Sequence, residues 1–195
     1  MAQSDSSEEP LSKHVGIVAG HYESDPQAIH DPGAICDDGL LEVDINLSIA
    51  QRVVALLRAA GYRVDLLGEF DPDIHGYLAD AFVALHSDSC MPGASGFKVA
   101  RVTHSAVPEK EDRLVACLWD EYEDATGLER HEFSITPDMQ QYHALRKIAM
   151  STPGAIIEMG FMLEDRHILL DQPDLAAQGI ANGIICFLEG EDDSY

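Results

Sequence analysis

Three short apolar runs, "HVGIVAG" (14–20), "AFVAL" (81–85) and "GAIIEMGF" (154–161), constrain the fold of this chain more than any other feature, together with "YRVDLL" (62–67), which alternates like a strand. Each is short enough to be a strand, and most are too uniformly apolar to have a solvated face. Longer segments with a helical period lie between them. That alternation predicts an α/β fold, a mostly parallel central sheet flanked by helices on both faces. "GFKVARVT" (96–103) alternates and is expected nearer an edge. In "LLEVDINLSIAQRVVALLRAAG", Val43, Leu47, Ala50, Val54 and Leu57 form one stripe, with Gly61 as the stop. A second helix is predicted from Pro108 to about Ala125, with Gly127 just past its end. "DMQQYHALRKIAM", "LEDRHILL" and "PDLAAQGIANGIICFLEG" read as further helices, and "DPDIHGYLAD" as a connector or short helix. With 195 residues, no repeat and no dividing linker, a single domain is expected over 13–190. A disordered acidic tail is expected over 1–12 and a loose tail over 191–195.

The charge balance narrows the partners. Asp and Glu number 35 against 12 Lys and Arg, a formal charge of −23. Nucleic acid and anionic membranes both call for basic patches, so neither is expected to bind. No apolar run is long enough to span a bilayer. The start "MAQSDSSEEPLS" lacks the basic and apolar regions of a signal peptide, so either the protein stays inside the cell or an export signal is missing from this sequence. Four cysteines are too few and too scattered for a disulfide scaffold. Cys117 and Cys186 lie in helix-like patterns and are expected to be core thiols. Cys36 and Cys90 lie in loops, where free thiols are the default and a Cys36–Cys90 bridge the alternative.

In open α/β sheets, ligands bind beyond the carboxyl ends of the strands. His21 follows the first run, His86 follows "AFVAL", Glu158 lies late in "GAIIEMGF", and Glu42 opens the first long helix. Four groups able to bind metal or move protons thus fall near one rim. Two imidazoles and one carboxylate suit Zn²⁺, and the remaining carboxylate is what a zinc hydrolase needs as a base. We assign His21, Glu42 and His86 to the metal and Glu158 to the base, although spacing alone does not distinguish the two carboxylates. Each residue also has an ordinary reading. A histidine after a strand is commonly a loop residue, Glu42 suits a helix N-terminus, and Glu158 could pair with Arg101 or Arg146. His30, beside Asp31, is the rival ligand, and His104 and His143 are candidates to line a substrate groove. No P-loop, HExxH helix or nucleophile elbow is present.

With these residues in place, the chain resembles the zinc-dependent N-acetylmuramoyl-L-alanine amidases of bacterial cell-wall turnover, amidase type 3, from about His14 to Leu188. "VAGH" is similar to the family's strand-Gly-His opening, and "DPGA" (31–34) to the segment that follows it. "LLEVDINLSIA" resembles its metal-binding Glu with an Asn four residues on, here Glu42 and Asn46. "AFVALHSDS" resembles the strand ending in its second metal His, here His86, and "PGAIIEMGFM" the segment bearing its catalytic Glu, here Glu158. The resemblance implies a zinc-exopeptidase-like fold and one Zn²⁺. It also implies cleavage of the amide between N-acetylmuramic acid and L-alanine in peptidoglycan or its fragments, in the cell envelope or outside the cell.

The chain departs from the family pattern in four places. Tyr22-Glu23 replaces Gly-Gly, an insertion separates His21 from "DPGA", the Arg that commonly ends the second strand is missing at "LLGEF", and Asp88 stands where Asn is common. Asp88 or Asp31 is a candidate to orient a ligand imidazole. Two other readings remain open: a zinc peptidase of similar fold, and a binding module without catalysis.

Overall fold

The computed structural model describes residues 12–23 and 31–190. The expected tails and His30 therefore lie outside the described residues, apart from Ser12. Strands β1 (His14–Ala19), β2 (Arg63–Leu67), β3 (Ala81–Asp88), β4 (Lys98–Ala100) and β5 (Gly154–Phe161) form one sheet in the order β2-β1-β3-β5-β4. Only β4, at the edge, is antiparallel to its neighbour. The sheet is flanked by α1 (Glu42–Ala59), α2 (Pro108–Thr126), the short α3 (Arg166–Leu169) and α4 (Pro173–Glu189). This is the expected α/β architecture. No helix among the described residues is long and apolar enough to cross a membrane.

The period of two along each strand divides the core into two layers. Val15, Ile17, Val83, Leu85, Ala155 and Ile157 face one way and pack against α1, α2 and α4. Val18, Phe82, Ala84 and Ile156 face the other way, toward Ile74, Met139, Tyr142, Leu145 and Ile148. Helices were expected on both faces, but the second layer is made of 3₁₀ turns and irregular chain. The reason is legible in "DMQQYHALRKIAM". Four of its buried residues, Met139, Tyr142, Leu145 and Ile148, recur every three positions, with Ala144 buried beside them, which is closer to the 3₁₀ period than to that of an α-helix. The segment accordingly has a 3₁₀ turn at Met139–Gln141 and tight turns after it. "LEDRHILL" is helical only over Arg166–Leu169.

α1 is rotated from the expected stripe. Ala50, Val54 and Leu57 are buried as expected, but Ile45, Ile49 and Val53 complete the buried face, with Val43 and Leu47 at its margin. That rotation carries Glu42 and Asn46 inward. α2 begins at Pro108, the favoured first position, and ends at Gly127 in the left-handed conformation (φ 70°), whose N–H bonds Glu123 O at 2.8 Å. α2 and α4 approach closely. A Cβ on Gly179 would lie 2.9 Å from Tyr122 Cα, and one on Gly183 2.9 Å from Leu118 Cα. Both glycines sit inside a helix, at a cost of roughly 1 kcal/mol each relative to Ala, and the close packing offsets that cost.

Both cysteine expectations are corrected. Cys117 and Cys186 are not thiols but a disulfide joining α2 to α4, with Cα atoms 5.9 Å apart. Cys36 and Cys90 are bridged as well, at a Cα separation of 5.5 Å. The partners are 69 and 54 residues apart in sequence, a distance over which local pattern says nothing about proximity.

Candidate metal centre

The carboxyl ends of the three central strands carry the site. Across β3 and β5, His86 is in register with Glu158, and across β5 and β4, Glu158 is in register with Lys98. These three continue the row Ala84, Ile156 and Ala100 one step toward the rim. His86 therefore lies within β3, not beyond it, because the strand extends three residues past the apolar run.

His21 ends the turn after β1 with φ 61°, the only non-glycine residue with positive φ among the described residues. A left-handed conformation costs an L-residue roughly 1–2 kcal/mol, so other contacts must hold it. The neighbouring glycines leave room. A Cβ on Gly20 would overlap the His86 ring, and one on Gly33, itself at φ 71°, would overlap Glu42 Oε2 and the His21 ring. The glycines of "VAGH" and "DPGA" thus make space for the imidazoles and Glu42.

Glu42, in the first turn of α1, is 5% exposed and meets both rings. Its Oε1 lies 3.1 Å from His86 Nδ1, and its Oε2 lies 3.3 Å from His21 Nε2. Ala34 N–H donates to Oε2 at 2.9 Å, and the Asn46 amide donates to Oε1 at 3.1 Å. Asn46 also donates to Gly20 O at 3.2 Å and accepts from Ser87 Oγ at 3.0 Å. One buried amide thus joins the ends of β1, β3 and α1. His21, Glu42 and His86 each offer a ligand atom, all within 4.8 Å of one another. Two imidazoles and a carboxylate at this spacing can hold a metal ion, and the donor set fits zinc.

Glu158 stands beside His86. The residue is half-buried, and its Oε2 is buried and has no hydrogen-bond partner. Burial pushes its carboxyl up to about 7; His86 opposes the shift, Glu42 and Asp88 add to it, and Lys98 opposes it. The expected arginine partners are not there. Arg101 forks onto Asp112 at 2.5 and 3.2 Å, and Arg146 is exposed beside a separate small cavity with His104 and Glu111. The nearby cation is Lys98, 4% exposed, which ion-pairs with Asp88 and donates to Ser134 O at 3.2 Å. Asp88 is therefore committed to Lys98 and does not orient an imidazole. Asp31 Oδ2 lies 3.6 Å from His21 Nδ1.

Glu69, Tyr142 and Lys98 were missed by reasoning from sequence, and His143 was seen only as a groove candidate. Glu69 is 4% exposed and stands in "LLGEF", where the chain departs from the family pattern. That departure was the one available signal. Burial raises the Glu69 carboxyl, but hydrogen bonds from His143, His86 and Tyr142 outweigh it and hold the group well below the usual carboxylate range. The same balance holds Glu42 down: burial is outweighed by His86, the Ala34 N–H and His21. For His86, burial is outweighed by Glu42, Glu69 and Glu158, and its imidazole is pushed up to about 10. Three carboxylates around two imidazoles make this an electrostatic trap for a cation.

The loops that carry the site also line a cleft of 670 Å³ between Ala34, Cys36, Asp38, Cys90, Met91 and Arg166. Ala34 belongs to both, since its N–H bonds Glu42. The Cys36–Cys90 bridge ties the loop before α1 to the loop after β3 across this cleft.

The architecture is an α/β sheet whose strand-end rim carries a His-Glu-His group that could hold a metal ion. The family model described as N-acetylmuramoyl-L-alanine amidase matches residues 15–186, and the chain belongs to that family. Solved structures agree in fold. The CwlD amidase of Clostridioides difficile, solved in complex with the GerS lipoprotein, has a TM-score of 0.73 at 20% identity, covering 92% of this chain and 100% of that one. The amidase AmiC2 of Nostoc punctiforme has a TM-score of 0.68 at 26% identity, covering 91% and 97%. The amidase Ami1 of Mycobacterium smegmatis has a TM-score of 0.73 at 19% identity, covering 92% and 98%. No curated protein matches by sequence.

Proposed function

We propose that this chain is a zinc-dependent amidase that hydrolyses the bond between N-acetylmuramic acid and L-alanine in peptidoglycan or its fragments. The observation that carries the reading is the juxtaposition, within an amidase-family chain, of His21, Glu42 and His86 with the unpartnered Glu158 Oε2. His21, Glu42 and His86 would hold the zinc. Zinc bound there supplies Lewis acidity toward the amide carbonyl and makes nearby water more acidic.

The chain's own groups do the rest. Glu158 takes a proton from the attacking water and returns it to the leaving amine nitrogen. A carboxyl near neutrality serves both steps, because it is neither too weak a base nor too weak an acid. Lys98, neutralised by Asp88, leaves Glu158 free to exchange protons rather than locking it in an ion pair. The formal net charge of −23 disfavours tight contact with anionic wall polymers, and soluble fragments suit it better.

Metal analysis of the purified chain and an assay of muropeptides against plain peptides test the proposal. Stoichiometric zinc and release of L-alanine-initiated peptides from muropeptides are expected. Cleavage of plain peptides alone would replace the amidase with a peptidase, and absence of zinc or of turnover would leave a binding module.

A further inference from the structure

Glu69 touches both histidines of the metal centre without being one of its three donors. Its Oε2 accepts the His21 backbone N–H at 3.0 Å and lies 3.4 Å from His86 Nε2. Its own N–H donates to Tyr22 O at 2.7 Å. Glu69 therefore grips the strained turn twice, once on each side of the His21 carbonyl. Its Oε1 accepts from Tyr142 Oη at 2.7 Å and from His143 Nε2 at 2.6 Å.

Counting protons gives these contacts a direction. Tyr142 has one hydroxyl proton, and it goes to Glu69 Oε1. Its oxygen, 3.1 Å from His86 Nε2, must then accept, so Nε2 of His86 carries a hydrogen. Nδ1, the nitrogen that faces Glu42, is then the one that can give up its proton and offer a lone pair to a metal. His143 is consistent with this: its Nε2–H donates to Glu69, and its Nδ1 accepts from Lys147 Nζ at 3.3 Å.

We propose that Glu69 is the positioning residue of the metal centre: with Tyr142 it fixes His86 with Nδ1 as the donor nitrogen, and through the His21 N–H it holds that residue in its left-handed turn. This inference rests on His21, Glu42 and His86 being the metal ligands. Carboxylates that accept from a ligand imidazole both orient the ring and raise its basicity. Here one carboxylate serves two ligands on different segments, so its loss should loosen both.

The test measures zinc affinity of the full chain by competition with a chromophoric chelator, for wild type, Glu69→Gln, Glu69→Ala and Tyr142→Phe. Glu69→Ala should bind zinc about 10–100-fold more weakly, the range found for such outer partners. Tyr142→Phe, which keeps the His21 contact, should lose less, and Glu69→Gln should fall between. Nitrogen-15 NMR of the imidazoles supplies a readout that a purely structural role would not move. Zinc-loaded wild type should show His86 protonated at Nε2 and bound through Nδ1, and zinc-loaded Tyr142→Phe should show a mixture of the two ring orientations. Should Glu69→Ala fail to fold, the isosteric Glu69→Gln and Tyr142→Phe decide. Wild-type zinc affinity in all folded variants, or a His86 that binds zinc through Nε2, overturns the inference and leaves the zinc reading intact. A wild type that binds no zinc overturns both.

Discussion

The strand-end rim and the α2–α4 face solve the same packing problem for opposite purposes. Each has two glycines with no room for a Cβ, Gly20 and Gly33 at the rim and Gly179 and Gly183 in α4. Each has one disulfide. At the α2–α4 face the neighbours of those features are apolar: Leu118, Tyr122, Ile180 and Ile184 are fully buried. At the rim the neighbours are Glu42, Glu69, His86 and Asn46, all buried, together with a backbone turn at His21 that an L-residue resists. Close approach thus serves helix packing in one region and polar geometry in the other. Buried polar groups cost stability unless each is partnered. The rim partners nearly all of them, and the exception, Glu158 Oε2, belongs to the group proposed as the base.

The comparison breaks if substitutions in the two regions have the same consequences. The largest expected effect is at Glu158. Glu158→Gln should lower kcat for muropeptide cleavage by about 10²–10⁴-fold with zinc content unchanged, measured by turnover and metal analysis. Next come the disulfides. Cys117→Ser with Cys186→Ser should lower stability by about 2–4 kcal/mol and leave KM alone. Cys36→Ser with Cys90→Ser should also lower stability but raise KM, since that bridge spans the cleft. Denaturant melts and steady-state kinetics separate them, and equal KM effects from both pairs would erase the distinction.

Smaller still is the glycine pair. Gly183→Ala should cost about 1–3 kcal/mol through overpacking without changing zinc affinity. Gly20→Ala should cost a similar amount and weaken zinc binding as well, because the His86 ring must move. Chelator competition on both variants is the check. The smallest effect is one of pH. Burial raises the Glu158 carboxyl from 4.5 to about 7, so between those values the native state holds more protons than the unfolded state. Stability therefore falls as pH rises through that window. In metal-free protein, Glu158→Gln should be more stable than wild type by about 1–2 kcal/mol at pH 8, and the gap should close by pH 4. A gap that is constant with pH would mean that Glu158 is no more buried than a surface carboxylate.

Much of the fold was legible in the sequence because parallel strands are buried on both faces and so write themselves as short apolar runs. The same rule singled out His21, His86 and Glu158 as candidates at the ends of such runs, and Glu42 was added as the residue that opens the first long helix. It failed where the relevant period was neither two nor 3.6, as in "DMQQYHALRKIAM", whose period of three produced turns. It failed again wherever a partner lay far away in the chain. Lys98 is 60 residues from Glu158, and only the antiparallel register of β4 on β5 brings them together.

The sequence alone determined an α/β sheet and the rim at which its candidate residues, His21, Glu42, His86 and Glu158, were expected to meet. Tertiary structure decided which cysteines pair, which cation approaches Glu158, and that Glu69 grips both histidines. The physical reason is range. Periodicity and backbone preference act within one or two turns of chain, and they mark where a polar group is exposed or buried. A hydrogen bond acts across about 3 Å of space regardless of separation in sequence, so the partner of a buried charge is known only once the strands are in register.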